Sequence, residues 1–170
     1  MASSNPTCHI HNTQHMTPAI NLAKQAKIAF TVHQYQHDDD NQDYGHEAVK
    51  KLNVTANRIY KTLIVQLDKK ILAVAIIPVA TQLNMKLFAK SLRAKKALMA
   101  NTNDVLRSTG YILGGVSPLA QKKTLVTLID STAQQLETMF VSAGKRGLEI
   151  ELAPCDLIKL CNAQFAAISH

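Results

Sequence analysis

The sequence is poor in aromatic residues, in cysteine and in long apolar segments. It has four Phe, four Tyr and no Trp, together with three Cys, six Gly and five Pro in 170 residues. The longest apolar run, residues 71–80, contains Pro78 and is shorter than the roughly 18 residues that a membrane-spanning helix needs. Three cysteines also provide no paired disulfide framework. The composition therefore excludes an integral membrane protein, a disulfide-rich secreted scaffold and a low-complexity chain.

The rest of the composition is typical of one globular domain in a reducing compartment. Hydrophobic residues make up 46% of the chain and charged residues 18%, and a chain of this length buries enough surface to form its own core. Residues 1–15 have neither the positive charge nor the apolar segment of a secretion signal, so we expect a cytoplasmic protein. Because they also lack periodicity, we predict a flexible N-terminal segment at 1–15 and a single domain at 16–170.

Motifs for cofactors and for common catalytic groups are absent. The chain contains no G-x-G-x-x-G, no Walker loop, no H-E-x-x-H, no C-x-x-C and no G-x-S-x-G. Soft-metal ligand types do occur together near the N-terminus, at Cys8, His9, His11 and His15. A flexible segment provides no supporting residues to orient such ligands, so we expect neither a metal nor another cofactor.

Hydrophobic periodicity predicts a mixture of helices and strands. Helices are expected over residues 17–28, 45–52, 83–96, 102–108 (capped by Thr102 or Asn103) and 154–160. Strands are expected over residues 30–36, 59–67, 71–77, 124–129, 138–142 and 148–152. The short connection Asp68-Lys69-Lys70 predicts an antiparallel hairpin. Because the strands occur in hairpins rather than in alternation with helices, we predict an α+β fold with a mostly antiparallel sheet flanked by helices.

Three short segments have residues suited to binding or catalysis. Lys61 begins an apolar strand, where its ammonium group would lie at the mouth of a cavity or extend into solvent as a surface lysine. The glycine pair Gly114-Gly115 would let the backbone approach a ligand, or would form a tight turn. In Gly144-Lys145-Arg146-Gly147, the basic pair would bind phosphate or form the tip of a charged hairpin.

Positive charge is concentrated in one stretch of the chain. The formal net charge is +7, a surplus that favours a polyanionic partner. Five basic residues with no acidic residue between them lie within eleven positions: Lys86, Lys90, Arg93, Lys95 and Lys96. They would attract a nucleic-acid backbone, or they would form a solvated helix face. With so few aromatic side chains to stack bases, a structured RNA end is favoured over a long single strand.

Three segments of the chain form a recognisable combination. They are Lys61-Thr62-Leu63, residues 109–118 with the Gly114-Gly115-Val116-Ser117-Pro118 sequence, and Ser142 with Gly144-Lys145-Arg146-Gly147-Leu148. It closely resembles the YbaK family of bacterial aminoacyl-tRNA deacylases, relatives of the editing domain of prolyl-tRNA synthetase. The resemblance extends from about Met16 to the C-terminus. It implies a barrel-like β core and hydrolysis of Cys-tRNA(Pro), with the substrate thiol rather than an enzyme nucleophile attacking the ester. Prolyl-tRNA synthetase, which makes the mischarged tRNA, is the implied transient partner.

The resemblance also assigns roles to individual residues. The key lysine of the family corresponds to Lys61. Substrate-binding positions correspond to Tyr35, Tyr44, Thr62, Gly114, Gly115, Ser117 and Ser142. Lys145 and Arg146 are expected to bind tRNA, and Glu149 is expected near the site. Two alternatives remain open: a tRNA-binding accessory module without hydrolysis, and a deacylase for another mischarged tRNA such as Ala-tRNA(Pro).

Overall fold

A computed structural model describes residues 16–170, so the N-terminal segment with Cys8 and its three histidines lies outside the described residues. The helices of the described part are α1 (Pro18–Gln25), α2 (Tyr44–Leu52), α3 (Met85–Ser91), α4 (Thr102–Thr109) and α5 (Pro154–Cys161). Its strands are β1 (Phe30–Gln34), β2 (Tyr60–Leu67), β3 (Leu72–Pro78), β4 (Ala97–Met99), β5 (Val126–Asp130), β6 (Met139–Lys145), β7 (Leu148–Leu152) and β8 (Gln164–Ala166). Two short 3₁₀ turns lie at Asp68–Lys70 and Ser131–Gln135.

Side-chain caps mark the starts of α1, α2, α3 and α4, whereas α5 begins at Pro154 without one. Thr17 caps α1 by accepting a hydrogen bond from the Ile20 amide at 3.2 Å, and its hydroxyl donates to the Ala143 carbonyl of β6 at 2.5 Å. At α4 the predicted cap was wrong. Asn101, one residue earlier, accepts from the Asp104 amide at 2.8 Å. Caps of this kind satisfy amides that a helix end leaves without partners.

The strands form two sheets, with the orders β4-β2-β3-β5-β8 and β1-β7-β6. The predicted hairpin is confirmed, since β2 and β3 pair antiparallel with Tyr60 opposite Pro78. Parallel pairing occurs between β3 and β5 and between β5 and β8, while the other strand pairs are antiparallel. The predicted α+β class and its mostly antiparallel pairing are confirmed.

Two expectations about the architecture were wrong. Among residues 16–170 the strands do not close into a barrel. They form two sheets that are joined by an isolated bridge between Ile59 and Phe140. The helix predicted over residues 83–96 is also too long, because α3 ends at Ser91 and Arg93 adopts a left-handed backbone with φ 56°. The chain beyond it forms β4 on the free edge of β2, a pairing that depends on a distant partner and leaves no local periodic signal.

The five-stranded sheet is covered on both faces, and alternation along β2 decides which side chains meet which layer. Tyr60 and Ile64 pack with α1, α4, α5 and the three-stranded sheet. Leu63, Val65 and Leu67 pack on the other face, against α3. Lys61 has the same parity as this second set, so the strand directs it toward the face that α3 covers.

The carboxylate of Asp130 joins three segments at the end of β5. One oxygen accepts hydrogen bonds from the Thr132 amide and hydroxyl at 3.1 and 2.7 Å, and the other accepts from the amides of Ile168 and Ser169 at 3.1 and 3.0 Å. Burial raises the pKa of Asp130, but these hydrogen bonds outweigh it and hold the pKa below its ordinary value. The carboxylate therefore ties the C-terminal segment to the sheet.

We expect Asp130→Ala to lower the free energy of unfolding by about 3 kcal/mol, because buried N–H and O–H donors lose their acceptor. Urea denaturation at neutral pH measures the loss. Asp40→Ala, which removes a carboxylate from an exposed loop, is the matched control and should change stability by less than about 0.5 kcal/mol. Equal effects of the two substitutions would show that the Asp130 network contributes little.

Candidate active site

A cavity of about 310 Å³ opens where the start of β2 meets the start of α2, loop 113–116 and strands β6 and β7. Its volume is within the range of sites for small ligands. The lining residues come from segments far apart in the chain: Gln42, Asp43, Tyr44, Gly45, Ile59, Tyr60, Lys61, Thr62, Leu63, Val79, Leu113, Gly114, Val116, Ser142 and Glu149. The antiparallel pairing of β6 with β7 places Ser142 directly opposite Glu149.

Lys61 is the only cation among the lining residues that the described part of the chain, 16–170, contributes. Its backbone is held in the sheet by pairing with Ile77 of β3. Burial lowers the pKa of its ammonium group, and the negative charge of Asp43 partly opposes this effect. A partly desolvated cation next to apolar walls interacts more strongly with an anionic group or a polarised carbonyl than a solvated lysine does.

One wall of the cavity is built from Tyr44, Gly114 and Arg146. The Arg146 guanidinium donates from Nε to the Leu113 carbonyl at 2.9 Å and lies 5.0 Å from the centroid of the Tyr44 ring. Gly114 has φ 85°, and a Cβ added there would lie 2.6 Å from Cε1 of Tyr44. Any larger residue at Gly114 would therefore displace the Tyr44 ring. Arg146, predicted from the sequence as a tRNA ligand, supports the wall of the cavity.

Two hydroxyl groups line the cavity beside the lysine. The Thr62 Oγ1 atom is buried and has no hydrogen-bond partner within residues 16–170. Ser142 Oγ accepts a hydrogen bond from the Gly144 amide at 3.2 Å. Because buried hydroxyls are nearly always hydrogen-bonded, the Thr62 hydroxyl is suited to bond with a bound ligand.

Glu149 supplies a buried carboxyl group to the same cavity. The residue is only 7% exposed, and burial raises its pKa to about 8. Its charge in turn adds to the effect of burial in raising the pKa of Tyr35. At neutral pH the Glu149 carboxyl is therefore mostly protonated and able to donate a hydrogen bond.

Five of the predicted binding residues, including Arg146 described above, lie outside the cavity lining. Tyr35 is half-buried, and the charge of Glu149 contributes to raising its pKa. Gly115 allows a close approach of two loops, since a Cβ there would lie 3.1 Å from Cα of Lys145, and Lys145 itself is exposed. Ser117 is fully buried, and its hydroxyl accepts from the Leu119 amide at 3.2 Å. The structure thus brings Lys61, Thr62, Tyr44, Gly114 and Ser142 together and leaves the other five outside the lining.

Sequence reasoning missed Asp43 and the residues that position it. Glu47 of α2 is 3% exposed and lies 2.6 Å from Nδ1 of His37, and its second oxygen accepts from the Asp38 amide at 2.7 Å. These contacts fix loop 37–43 on α2, and Asp43 caps the helix through the His46 amide. An aspartate just ahead of the helix predicted over 45–52 was an available signal for the cap. No local pattern indicates the pairing of Glu47 with His37.

The described residues offer no alternative site based on a metal or a reactive thiol. Within 16–170 no group of three or more His, Cys, Asp or Glu side chains is arranged to hold a metal ion. Cys155 and Cys161 lie on α5, outside the cavity lining, and Cys161 Sγ lies 3.4 Å from the Pro118 carbonyl. None of the helices in this part of the chain is long and apolar enough to cross a membrane.

Comparison with known proteins places this cavity in a functional context. Residues 42–160 match the model of a family described as "Aminoacyl-tRNA editing domain". The chain is 37% identical over 157 residues to an Enterococcus faecalis protein named "Putative Cys-tRNA(Pro)/Cys-tRNA(Cys) deacylase EbsC", covering 92% of this chain and 95% of that protein. It is also 36% identical over 62 residues to the uncharacterized protein YwhH of Bacillus subtilis, covering 36% of this chain and 40% of that protein.

The fold is shared with a solved structure entitled "Crystal structure of a putative trans-editing enzyme for prolyl tRNA synthetase". The two superpose with a TM-score of 0.78 at 16% identity, covering 92% of this chain and 99% of that one. All residues that line the cavity fall within the range matched by the family model. The resemblance predicted from three short segments is confirmed. The chain therefore belongs to the aminoacyl-tRNA editing domain family, and its activity is the deacylation of aminoacyl-tRNA.

Proposed function

We propose that the protein releases cysteine from Cys-tRNA(Pro) and that the thiol of the substrate, rather than a side chain of the enzyme, attacks the ester. The observation that carries this proposal is the cavity itself, where the partly desolvated Lys61 is the only cation and neither Cys nor His is present among the lining residues. The E. faecalis relative, which is named for the same amino acid, supports the choice of substrate.

The lining contains no paired nucleophile and histidine base. Enzymes that form a covalent acyl intermediate place the nucleophile within hydrogen-bond reach of a base. The Ser142 hydroxyl accepts from a backbone amide, and the nearby Glu149 carboxyl is mostly protonated at neutral pH because its pKa is raised to about 8. A nucleophile brought by the substrate needs no such pair from the protein.

The proposed reaction has two steps. The cysteine sulfur attacks the ester carbonyl carbon, a C–S bond forms, and the bond from that carbon to the ribose oxygen breaks. The ribose oxygen takes up the proton lost by the thiol, which leaves free tRNA and a four-membered thiolactone. Water then opens the thiolactone to cysteine. Lys61 stabilises the negative charge that develops on oxygen in the first step, and the unpaired Thr62 hydroxyl helps to fix the ester.

Selection by chemistry solves a problem that selection by size does not. Proline and cysteine are similar in size, and a pocket separates such near-isosteres only weakly by binding. Correctly charged Pro-tRNA(Pro) has no free thiol, so its ester survives even when it enters the cavity. We propose that the protein acts in the cytoplasm and receives Cys-tRNA(Pro) from prolyl-tRNA synthetase, which forms it by mischarging.

The test is release of labelled amino acid from tRNA(Pro) charged with cysteine, serine or alanine. We expect the cysteine ester to be hydrolysed at least about 100-fold faster than the serine ester, because a hydroxyl is a much weaker nucleophile than a thiol near neutral pH. Rapid release of alanine would instead indicate a deacylase for Ala-tRNA(Pro) with water as the nucleophile. Binding of tRNA without release of any amino acid would indicate the accessory-module alternative.

Ser142→Ala is the matched test of the mechanism. If the substrate thiol is the nucleophile, this variant should retain cysteine release within about tenfold of the wild type, since it removes only a wall hydroxyl. A loss of more than about 1000-fold, the size expected for removal of a catalytic nucleophile, would contradict the proposal and assign the attack to Ser142.

A further inference from the structure

A second, strongly basic surface lies apart from the cavity, between α3 and β4. This basic groove encloses about 570 Å³ and is lined by Met85, Lys86, Ala89, Lys90, Arg93, Ala94, Lys95, Lys96 and Ala97. All five of its cationic residues are exposed. Within residues 16–170, none of these five side chains forms an ion pair with a carboxylate.

The backbone around the groove is held so that its cations converge. The Asp68 carboxylate accepts hydrogen bonds from the amides of Lys95 and Lys96 at 2.6 and 2.8 Å. Asp68 forms hydrogen bonds to these amides and no ion pair within residues 16–170, although the charge of Lys95 helps to lower its pKa. Arg93 takes up a left-handed backbone at φ 56°, which turns the chain from α3 back toward the sheet. The folded chain thereby exposes five positive charges in one groove, and none of them is held in an ion pair within residues 16–170.

The position of the groove relative to the active-site cavity follows from the register of β2. Lys61 lies at the start of β2, while Ala97 of the groove pairs with Leu67 at its end. Six residues of strand separate the two positions by about 20 Å. The cavity lies at the start of β2 and is lined from both faces of the sheet, since Tyr60 packs on the face away from α3. On the α3 face it is lined by Leu63, which packs against the same hydrophobic cluster as Phe88 of α3.

We propose that the basic groove binds phosphates of the tRNA whose esterified 3′ end occupies the cavity, close to that end. This inference rests on the proposed function for the identity of the RNA. A separation of about 20 Å corresponds to about six phosphates along one strand of a duplex, or fewer in an extended single strand. At this distance the groove would contact phosphates of the last few nucleotides before the ester.

The charges in the groove suit a phosphate backbone better than they suit base recognition. Lysine and arginine neutralise phosphates with little dependence on sequence. Within residues 16–170, no aromatic residue lines the groove for base stacking. The groove thus adds affinity for tRNA in general, while the chemistry in the cavity selects the amino acid. Binding through the groove is expected to weaken steeply as salt concentration increases.

The test is a triple variant, Lys86→Gln/Lys90→Gln/Arg93→Gln, assayed for release of cysteine from Cys-tRNA(Pro). We expect KM to rise at least about tenfold while kcat stays within about twofold, because the groove acts in binding rather than in the reaction. The slope of log KM against log salt should decrease by about 2 to 3, close to one per phosphate contact removed. Hydrolysis of 3′-cysteinyl adenosine, which has no phosphates, should be unchanged.

A matched control removes the same charge from the opposite side of the sheet. Lys24→Gln/Lys27→Gln/Lys159→Gln changes residues at the ends of α1 and α5, helices that pack on the face away from α3. Lys27 also has φ 56°, as Arg93 does, so both triple variants change one residue with a left-handed backbone. If the control triple raises KM and lowers the salt slope as much as the groove triple does, the specific role of the groove is wrong.

Binding of uncharged tRNA, measured by fluorescence anisotropy across a salt series, separates failure of this inference from failure of the proposed function. If the wild type releases cysteine but the groove triple binds uncharged tRNA as tightly as the wild type, the groove proposal is wrong and the proposed function stands. Suppose instead that the wild type releases no cysteine and that the groove triple, but not the control triple, weakens tRNA binding. The groove proposal then stands and the proposed reaction is wrong.

Discussion

Lys61→Met is expected to lower kcat/KM for release of cysteine from Cys-tRNA(Pro) by about 100-fold to 1000-fold. Loss of one preorganised electrostatic contact to a developing negative charge has an effect of this size. No other cation from residues 16–170 lines the cavity, so none of these lining residues replaces the lost charge. The rate is measured with labelled cysteine on tRNA(Pro) at several enzyme concentrations, so that kcat and KM are separated.

Stability distinguishes a catalytic loss from a folding defect in this experiment. Burial lowers the pKa of Lys61, which means that the folded state disfavours its charged form. Methionine has a similar length and carries no charge, so Lys61→Met should unfold at the same temperature as the wild type or at a higher one. An inactive variant with unchanged stability supports a direct role in the reaction.

Lys70→Met provides the matched control, because it removes an exposed lysine just beyond the far end of the same strand. We expect it to retain activity within about twofold of the wild type. If kcat/KM of Lys61→Met also stays within tenfold of the wild type, the proposal that this lysine stabilises charge is wrong. The cavity would then act through shape and hydrogen bonding alone.

The elements that the sequence predicted well are those whose signals are local. The Thr17-Pro18 start of α1, the β2–β3 hairpin and the end of α4 at Gly110 were all placed to within a few residues. Each depends on a cap, a short connection or an alternating pattern within one window of sequence. The α+β class followed from the same signals, since the order of strands and helices is itself local information.

Elements that depend on distant partners were missed. β4 and β8 are three-residue edge strands that exist because β2 and β5 offer them free hydrogen-bonding groups. The same limit explains the expected barrel, because sheet closure depends on the relative positions of strands that are far apart in the chain. Closure was implied by the family resemblance alone, and the structure has two sheets instead.

The residues of the candidate site also divide into those with a local sequence signal and those that depend on distant partners. Lys61 at the start of an apolar strand and the adjacent glycines Gly114 and Gly115 are local sequence features, so both were predicted from the sequence. The wall formed by Tyr44, Gly114 and Arg146 has no local sequence signal. The close approach of Gly114 to the Tyr44 ring joins residues seventy positions apart, and Arg146 bonds to Leu113 across another loop. The tRNA-binding role predicted for Arg146 stays a prediction, and its contacts with Leu113 and the Tyr44 ring had no local signal.

Glu149→Gln is expected to stabilise the protein by an amount that grows with pH. Burial raises the pKa of this carboxyl from 4.5 to about 8 in the folded state. Between these two values the folded wild type holds one more proton than the unfolded chain, so its free energy of unfolding falls by about 1.4 kcal/mol per pH unit relative to the glutamine variant. Below about pH 4.5 the carboxyl is protonated in both states, and this dependence on pH disappears.

Urea denaturation of both proteins at pH 5, 6, 7 and 8 measures this divergence, and Glu137→Gln controls for the loss of one exposed carboxylate. A constant difference between wild type and Glu149→Gln over this range would show that the carboxyl is ionised in the folded state.

Glutamine also mimics the protonated carboxyl, so the Glu149→Gln variant should keep its activity at pH 7. Above pH 8 the wild type gains a negative charge in the cavity opposite Ser142, which would repel the negative charge that the proposed reaction develops on oxygen. Its activity should then fall relative to the variant, and the pH at which this happens reports the pKa of Glu149 in the working enzyme.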